Sequence, residues 1–254
     1  MRILAPLILC GILSQAQSPE TGRIEREGDE SILIVDSLRP LDSAALTLAR
    51  QFGILVSAED PRYEYADDTK DVTAEVSRVP NPIKRVLVPK GGRLAVRFPV
   101  TADGAPQDVR GLLQSLVDTA NAQFPFSFRL DADGDAFAFV PTRSRDTQGH
   151  VIEVEPLLDR RVTIALATRS IAETANLMAA SLSAQTGLRV SCCQGVVAGI
   201  PWGMKQIPFE AHDEPARSIL KRLIASERGA YFWLERCDPL PSAWCFINLN
   251  GLQR

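Results

Sequence analysis

Histidine is scarce: only His150 and His212 occur in 254 residues. A general base needs a nucleophile or a substrate within reach, and no G-x-S-x-G or H-E-x-x-H pattern supplies one. His150 lies in a polar stretch and His212 in "FEAHDEP", so both read as surface residues. There is no basic excess either. Lys and Arg number 28 against 31 Asp and Glu, giving a net charge of −3 and a pI near 5.5. That balance lacks the positive footprint of a nucleic-acid binder. The apolar run Ile3 to Leu13 is 11 residues long, short of the roughly 20 that span a bilayer. No integral membrane segment is expected after it. Apolar content of 45% is nonetheless ample for a folded core.

The N-terminus "MRILAPLILCGILSQAQSPE" has an early cation, an apolar run and then Ser14-Gln15-Ala16. This is the layout of a secretory signal, with cleavage expected after Ala16 and a periplasmic or secreted product. Residues 17–30 read as a polar tail. Export changes how the cysteines read. Setting Cys10 aside leaves Cys192, Cys193, Cys237 and Cys245, all in the second half, and an even set in an oxidising compartment points to disulfides. Cys237 and Cys245 flank a hairpin loop and can pair at its base, which would leave Cys192 and Cys193 free or joined as a vicinal disulfide. The rival is a link from the Cys192/Cys193 strand to that hairpin. A Cys₄ zinc site is disfavoured, because adjacent cysteines lack the usual C-x₂₋₄-C spacing and point to opposite faces of a strand.

The phrase Leu, two residues, Gln, one residue, Gly, two residues, Val-Ser occurs twice, at Leu48 to Ser57 and at Leu182 to Ser191. It reads as a helix end, a glycine stop and a strand. Around it a whole unit recurs: strand, helix, strand, strand, helix, hairpin. In the first copy these are 31–37, a helix capped at Asp42, "ILVSA", 93–100, a helix from Gly104–Pro106 to Pro125, and arms flanking "DADGD". In the second they are 160–167, a helix opened by the capping box Ser170/Glu173, "LRVSC", "MKQIPFEA", a helix capped at Asp213, and "AYFWLERC" with "AWCFINL". The second helices align apolar for apolar, "VRGLLQSLV" (109–117) with "ARSILKRLI" (216–224). The offset between copies is 134 residues at Gln51/Gln185 and 107 at Val109/Ala216. The difference of 27 residues is extra chain in the first copy, placed in the charged, proline-broken loop 59–92. The reading is therefore α+β: two tandem small domains, 31–142 and 151–250, joined by a linker at 143–150, each with two helices packed on small β-sheets.

Pro40-Leu41, Ala45, Leu48-Ala49, Gln51 and Gly53 in the first copy, and Ile171, Leu182, Gln185, Gly187, Ile219-Leu220 and Leu223-Ile224 in the second, resemble the short N-terminal domain of secretins and TonB-dependent transducers (STN-like). The resemblance covers nearly all the mature chain as two copies. It departs from the family through the long insert and the four cysteines, and through the absence of a following membrane barrel. What it implies is an envelope location and protein–protein contact, with a secretin or TonB-system component as the partner.

Several other features have plain structural readings. "DADGDAF" places Gly134 fourth and Thr142 twelfth, against a calcium loop's sixth-position Gly and twelfth-position Glu, so a hairpin turn accounts for it. Of the aromatics on the closing hairpin, Tyr231, Phe232, Trp233, Trp244 and Phe246, most are expected in the core. No metal, cofactor or catalytic set is assigned. The chain reads as an exported, non-enzymatic interaction module, with Lys84, Arg85, Lys90 and Trp202 as candidate partner-binding residues. Deletion of 62–88 is expected to abolish capture without unfolding. The alternative is a small-ligand or glycan-binding envelope protein that uses exposed aromatics such as Trp202 and Trp244.

Overall fold

The computed structural model describes residues 22–76, 85–134, 136–192, 203–226, 231–239 and 244–251. The expected signal segment 1–16 and the candidates Lys84, Cys193 and Trp202 lie outside these residues. The fold is α+β, and the recurring order of elements appears as a recurring pattern of pairing. In the first half, β2 (Glu30–Ser37) pairs antiparallel with β6 (Gly92–Pro99). In the second, β10 (Arg161–Ser170) pairs antiparallel with β12 (Gln206–Pro215). Each helix that follows ends on a left-handed glycine: α1 (Pro40–Phe52) on Gly53 at φ 68° and α4 (Ile171–Thr186) on Gly187 at φ 70°. Glycine adopts that conformation without a Cβ penalty, which explains the repeated Gln-x-Gly phrase. Its Leu48 and Leu182 are fully buried.

The next strands form a single central sheet. In the first half β3 (Val56–Glu59) runs parallel to β8 (Ala136–Arg145), which is antiparallel to β7 (Ser127–Asp133). In the second half β11 (Arg189–Cys192) runs parallel to β14 (Trp244–Gly251), which is antiparallel to β13 (Tyr231–Cys237). The two triplets meet where β13 pairs parallel with β3, Leu234 opposite Ala58 and Glu235 opposite Glu59. The order is β11-β14-β13-β3-β8-β7, with β9 (Val151–Glu153) added on β8.

Because side chains alternate across a strand, this shared sheet serves two cores. One face meets α1 and α3 (Val109–Gln123) together with β2 and β6, and takes Phe232 and Leu234 from the second half. The other meets α4 and α5 (Ala216–Ala225), and takes Ala138 and Val140 from the first half. The sequence boundary at 143–150 thus separates the copies along the chain while each core draws on both. Within it, residues 143–145 continue β8, and 146–150 turn back into β9.

Several local expectations change. The polar tail 17–30 contains β1 (Arg23–Glu27), an edge strand on β2. Helix α1 begins at Pro40, whose fixed φ suits the first helical position, so Asp42 is no cap; it is buried and bonded to Arg236. Helix α3 begins at Val109, where the Asp108 carboxylate accepts from the Gly111 N–H at 2.9 Å. Asp213 stays in β12 at φ 48°, and α5 starts after Pro215. The capping box at Ser170/Glu173 forms as expected. The loop 59–92 is not wholly irregular: it holds β4 (Thr69–Asp71) paired with β5 (Leu87–Pro89), and the short α2 (Thr73–Val76).

Candidate functional site at the seam of the two halves

Where β3 meets β13, the strand ends carry charge into the interior. The backbone ladder runs on with Asp60 N–H donating to Glu235 C=O at 3.1 Å. Beyond it the Asp60 side chain replaces the backbone, accepting from Cys237 N–H at 3.0 Å. The same carboxylate accepts from Arg39 Nε at 2.5 Å and from the Tyr63 hydroxyl at 3.0 Å. Arg39 also donates through Nη2 to the Cys237 carbonyl at 3.0 Å. One step along, Glu59 takes a two-pronged bond from Arg217 of α5, with Nε and Nη2 both at 2.7 Å, and a longer one from Trp233 Nε1 at 3.4 Å. Arg217 also pairs with Asp159, and Arg236 Nε reaches Asp42 at 2.8 Å. These bonds tie α1, β3, β13 and α5 together across the two halves.

Glu235 is the exception. It is 1% exposed, and its Oε2 has no hydrogen-bond partner. Burial, with the nearby charges of Glu59 and Asp60, raises its pKa well above the usual carboxylate value, which favours the neutral acid. A disulfide sulfur carries no hydrogen, so Cys237 Sγ, 3.5 Å from Glu235 Oε1, donates nothing to it. Burial and the charge of Asp60 push Asp42 up to about 6, against the pull of Arg236 and Arg39.

Beside the seam lies a cavity of about 280 Å³. The N-terminal turn of α1 forms one wall, through Leu38, Arg39 and Pro40, and Phe124, Phe126 and Phe128 form another. The two ends of the insert close it, with Pro61, Tyr63 and Asp68 on the outgoing limb and Pro89, Lys90 and Gly91 on the return. Arg145 of β8 grips Asp68 with Nε at 3.1 Å and with Nη2, and its guanidinium stacks on Tyr65. The extra chain that distinguishes the first half is therefore what builds this cavity.

The predicted site residues are dispersed. Lys90 stands at the cavity rim. Arg85, on the insert, donates through Nε to Asp71 at 2.8 Å, and that carboxylate is pulled down to about 2 chiefly by its bonds from Thr73. Cys237 and Cys245 form a disulfide directly across β13 and β14. Glu235 stands close to both sulfurs, but two sulfurs bonded to each other leave no thiolate to ligate metal. Replacing both cysteines by alanine opens a short loop and is expected to lower stability by about 2–3 kcal/mol in denaturant titrations. Cys192 is buried at the end of β11. In the "DADGD" turn, Asp131 and Asp133 are paired with Lys221 at 3.2 and 3.5 Å. His150 and His212 are exposed beside Asp146 and Glu210. On the closing hairpin Phe232 and Trp233 are core, whereas Trp244 is 41% exposed, stacked by Arg189 and bonded to Ser191.

Sequence reasoning overlooked the seam: Asp42, Glu59, Asp60, Arg217 and Glu235. One signal was available, since "YFWLERC" places Glu235 directly after the apolar run Tyr231 to Leu234 and within the same strand. Compared with family models, with curated proteins and with solved structures, the chain matches none.

Proposed function

We propose that this chain is an exported, non-enzymatic interaction module that docks a protein partner in the cell envelope, in the manner of the short N-terminal domains of secretins and TonB-dependent transducers. The observation that carries the reading is the insert. It is the main departure from the repeat, and it presents Val76 and Val86 to solvent at 42% and 39% exposure, next to Arg85. Exposed apolar groups rimmed by charge mark interaction surfaces. The disulfide supports an oxidising compartment. The ion pairing supports a structural use of the buried acids, since Asp60 and Glu59 are held by arginines.

The test must spare the wall of the cavity. Removing 62–88 would delete Tyr63, Asp68 and Val72, all buried, so that larger deletion is expected to unfold the protein. Val72 N–H already bonds Val86 C=O at 2.9 Å, so 73–85 can be replaced by a short Gly/Ser turn. The expected result is a native melting temperature with loss of the envelope partner from in-situ crosslinking in the native host. Undiminished capture by the trimmed protein would sink the proposal.

A further inference from the structure

The cavity under the insert has one cation without an ion pair among the described residues, Lys90, and a spare donor on Arg39, whose charge Asp60 already meets, while four of its five acids are held by arginines. Asp60 accepts from Arg39, Tyr63 and Cys237 N–H, Glu59 is gripped by Arg217, and Asp68 by Arg145. Asp42 holds Arg236, and Asp67 accepts from the Tyr65 hydroxyl. A cationic ligand would compete with an arginine at every one of these acids but the exposed Asp67, which accepts only from the Tyr65 hydroxyl. An anion displaces nothing. Arg39 uses Nε and Nη2, but its Nη1 bonds no described group and is not a sealed, partnerless atom. The Lys90 ammonium has no ion pair among the described residues. The same wall carries the start of α1, where Arg39 as N-cap gives no side-chain cap bond. The positive end of the helix dipole adds to these two cations, against the Asp42 carboxyl in the same first turn. In the same lining Phe124, Phe126 and Phe128 are only half-buried, and Phe126 packs edge-on against Tyr63 at 5.3 Å.

We propose that this cavity binds a carboxylate bearing a compact apolar group, with Arg39 and Lys90 holding the carboxylate and the three phenylalanines receiving the apolar part. At about 280 Å³ the space lies near the lower end of ligand pockets, roughly 300–1,000 Å³, which suits a small acid or the terminal residue of a peptide. The site does not depend on docking at Val76 and Val86.

The experiment is calorimetric titration of the full mature chain with 3-phenylpropionate and with Ala-Ala-Phe, each against its neutral amide. The expected result is saturable binding of at least one free acid, weakened about tenfold or more both by amidation and by Lys90→Glu, a change at an exposed position. Preference for the small acid assigns a free metabolite-like ligand, and preference for the tripeptide assigns a chain terminus. Lys90→Gln replaces Lys90→Glu if the latter melts early. The proposal is overturned if the folded protein binds neither acid up to about 10 mM, if acid and amide bind alike, or if the Lys90 variant binds unchanged.

Discussion

Arg217→Met is expected to lower stability by about 3–5 kcal/mol, the usual cost of removing one partner from a buried ion pair. In a chain of this size that is a fall in Tm of roughly 6–20 °C. Arg217 is 5% exposed, and it joins α5 of the second half to β3 of the first through Glu59 and to the chain before β10 through Asp159. Truncation leaves Glu59 buried among apolar groups without its cation. Burial already pushes the Glu59 carboxyl upward, opposed chiefly by the Arg217 bonds, so the orphaned acid takes up a proton and the loss should shrink at pH 5. The double variant Arg217→Met/Glu59→Leu removes both charges and should recover most of the loss, because a well-packed apolar pair can match a buried salt bridge. Urea titrations of the two singles and the double close the cycle. A single-variant loss below about 1 kcal/mol, the range of exposed pairs, would show that Arg217 is not the clasp of the seam.

The second large effect is a stability that declines as pH rises from 5 to 8. Asp42 and Glu235 keep their protons in the folded state above the range in which the unfolded chain releases them. Between the unfolded and folded pKa values the native state therefore binds more protons, and stability falls as pH increases. For Asp42, displaced from 3.8 to about 6, the contribution present below pH 4 and lost by pH 7 is on the order of 3 kcal/mol. Glu235 adds a loss that extends to higher pH. The lowered groups, Asp71, Asp103, Asp146 and Glu173, act with the opposite sign, but only in acid below the usual carboxylate values. Glu235→Gln keeps the shape and removes the proton, so it should stabilise the protein at pH 8, change little at pH 5 and flatten the slope. A wild-type stability that is flat or rising over this range would contradict the assignment of Glu235 as a buried neutral acid.

Much of the local structure was legible without coordinates. Apolar spacing marked both main helices of each half, Gly53 and Gly187 marked their ends, and Ser170 with Glu173 marked a start. These signals depend on neighbours a few residues away, whose geometry follows from backbone sterics and helical period. Repetition of the Leu…Gln-x-Gly…Val-Ser phrase disclosed the doubled order of elements, since each copy meets the same local constraints. The cross-strand position of Cys237 and Cys245 was readable for the same reason. The sites where local rules misplaced a boundary, Asp42 and Asp213, are residues committed elsewhere: one to Arg236, the other to Arg161.

The joining of the halves was not legible. Parallel pairing of β13 with β3 links residues about 176 positions apart, as in the bond from Trp233 N–H to Ser57 Oγ, and no local pattern encodes which edge meets which. Once that pairing forms, alternation sends Phe232 and Leu234 into one core and Trp233 into the other. Glu59, Asp60 and Glu235, which a linear reading places in an acidic loop and a hairpin, become a buried network. The insert likewise read as a charged loop, yet its outgoing limb meets Phe126 and Arg145, its return limb bonds back through Lys90 N–H to Asp68 C=O, and the two enclose a cavity. Short-range sterics and periodicity are written residue by residue along the chain. Which distant strands and charges share a low-dielectric interior depends on how whole faces pack, and only the tertiary structure decided that.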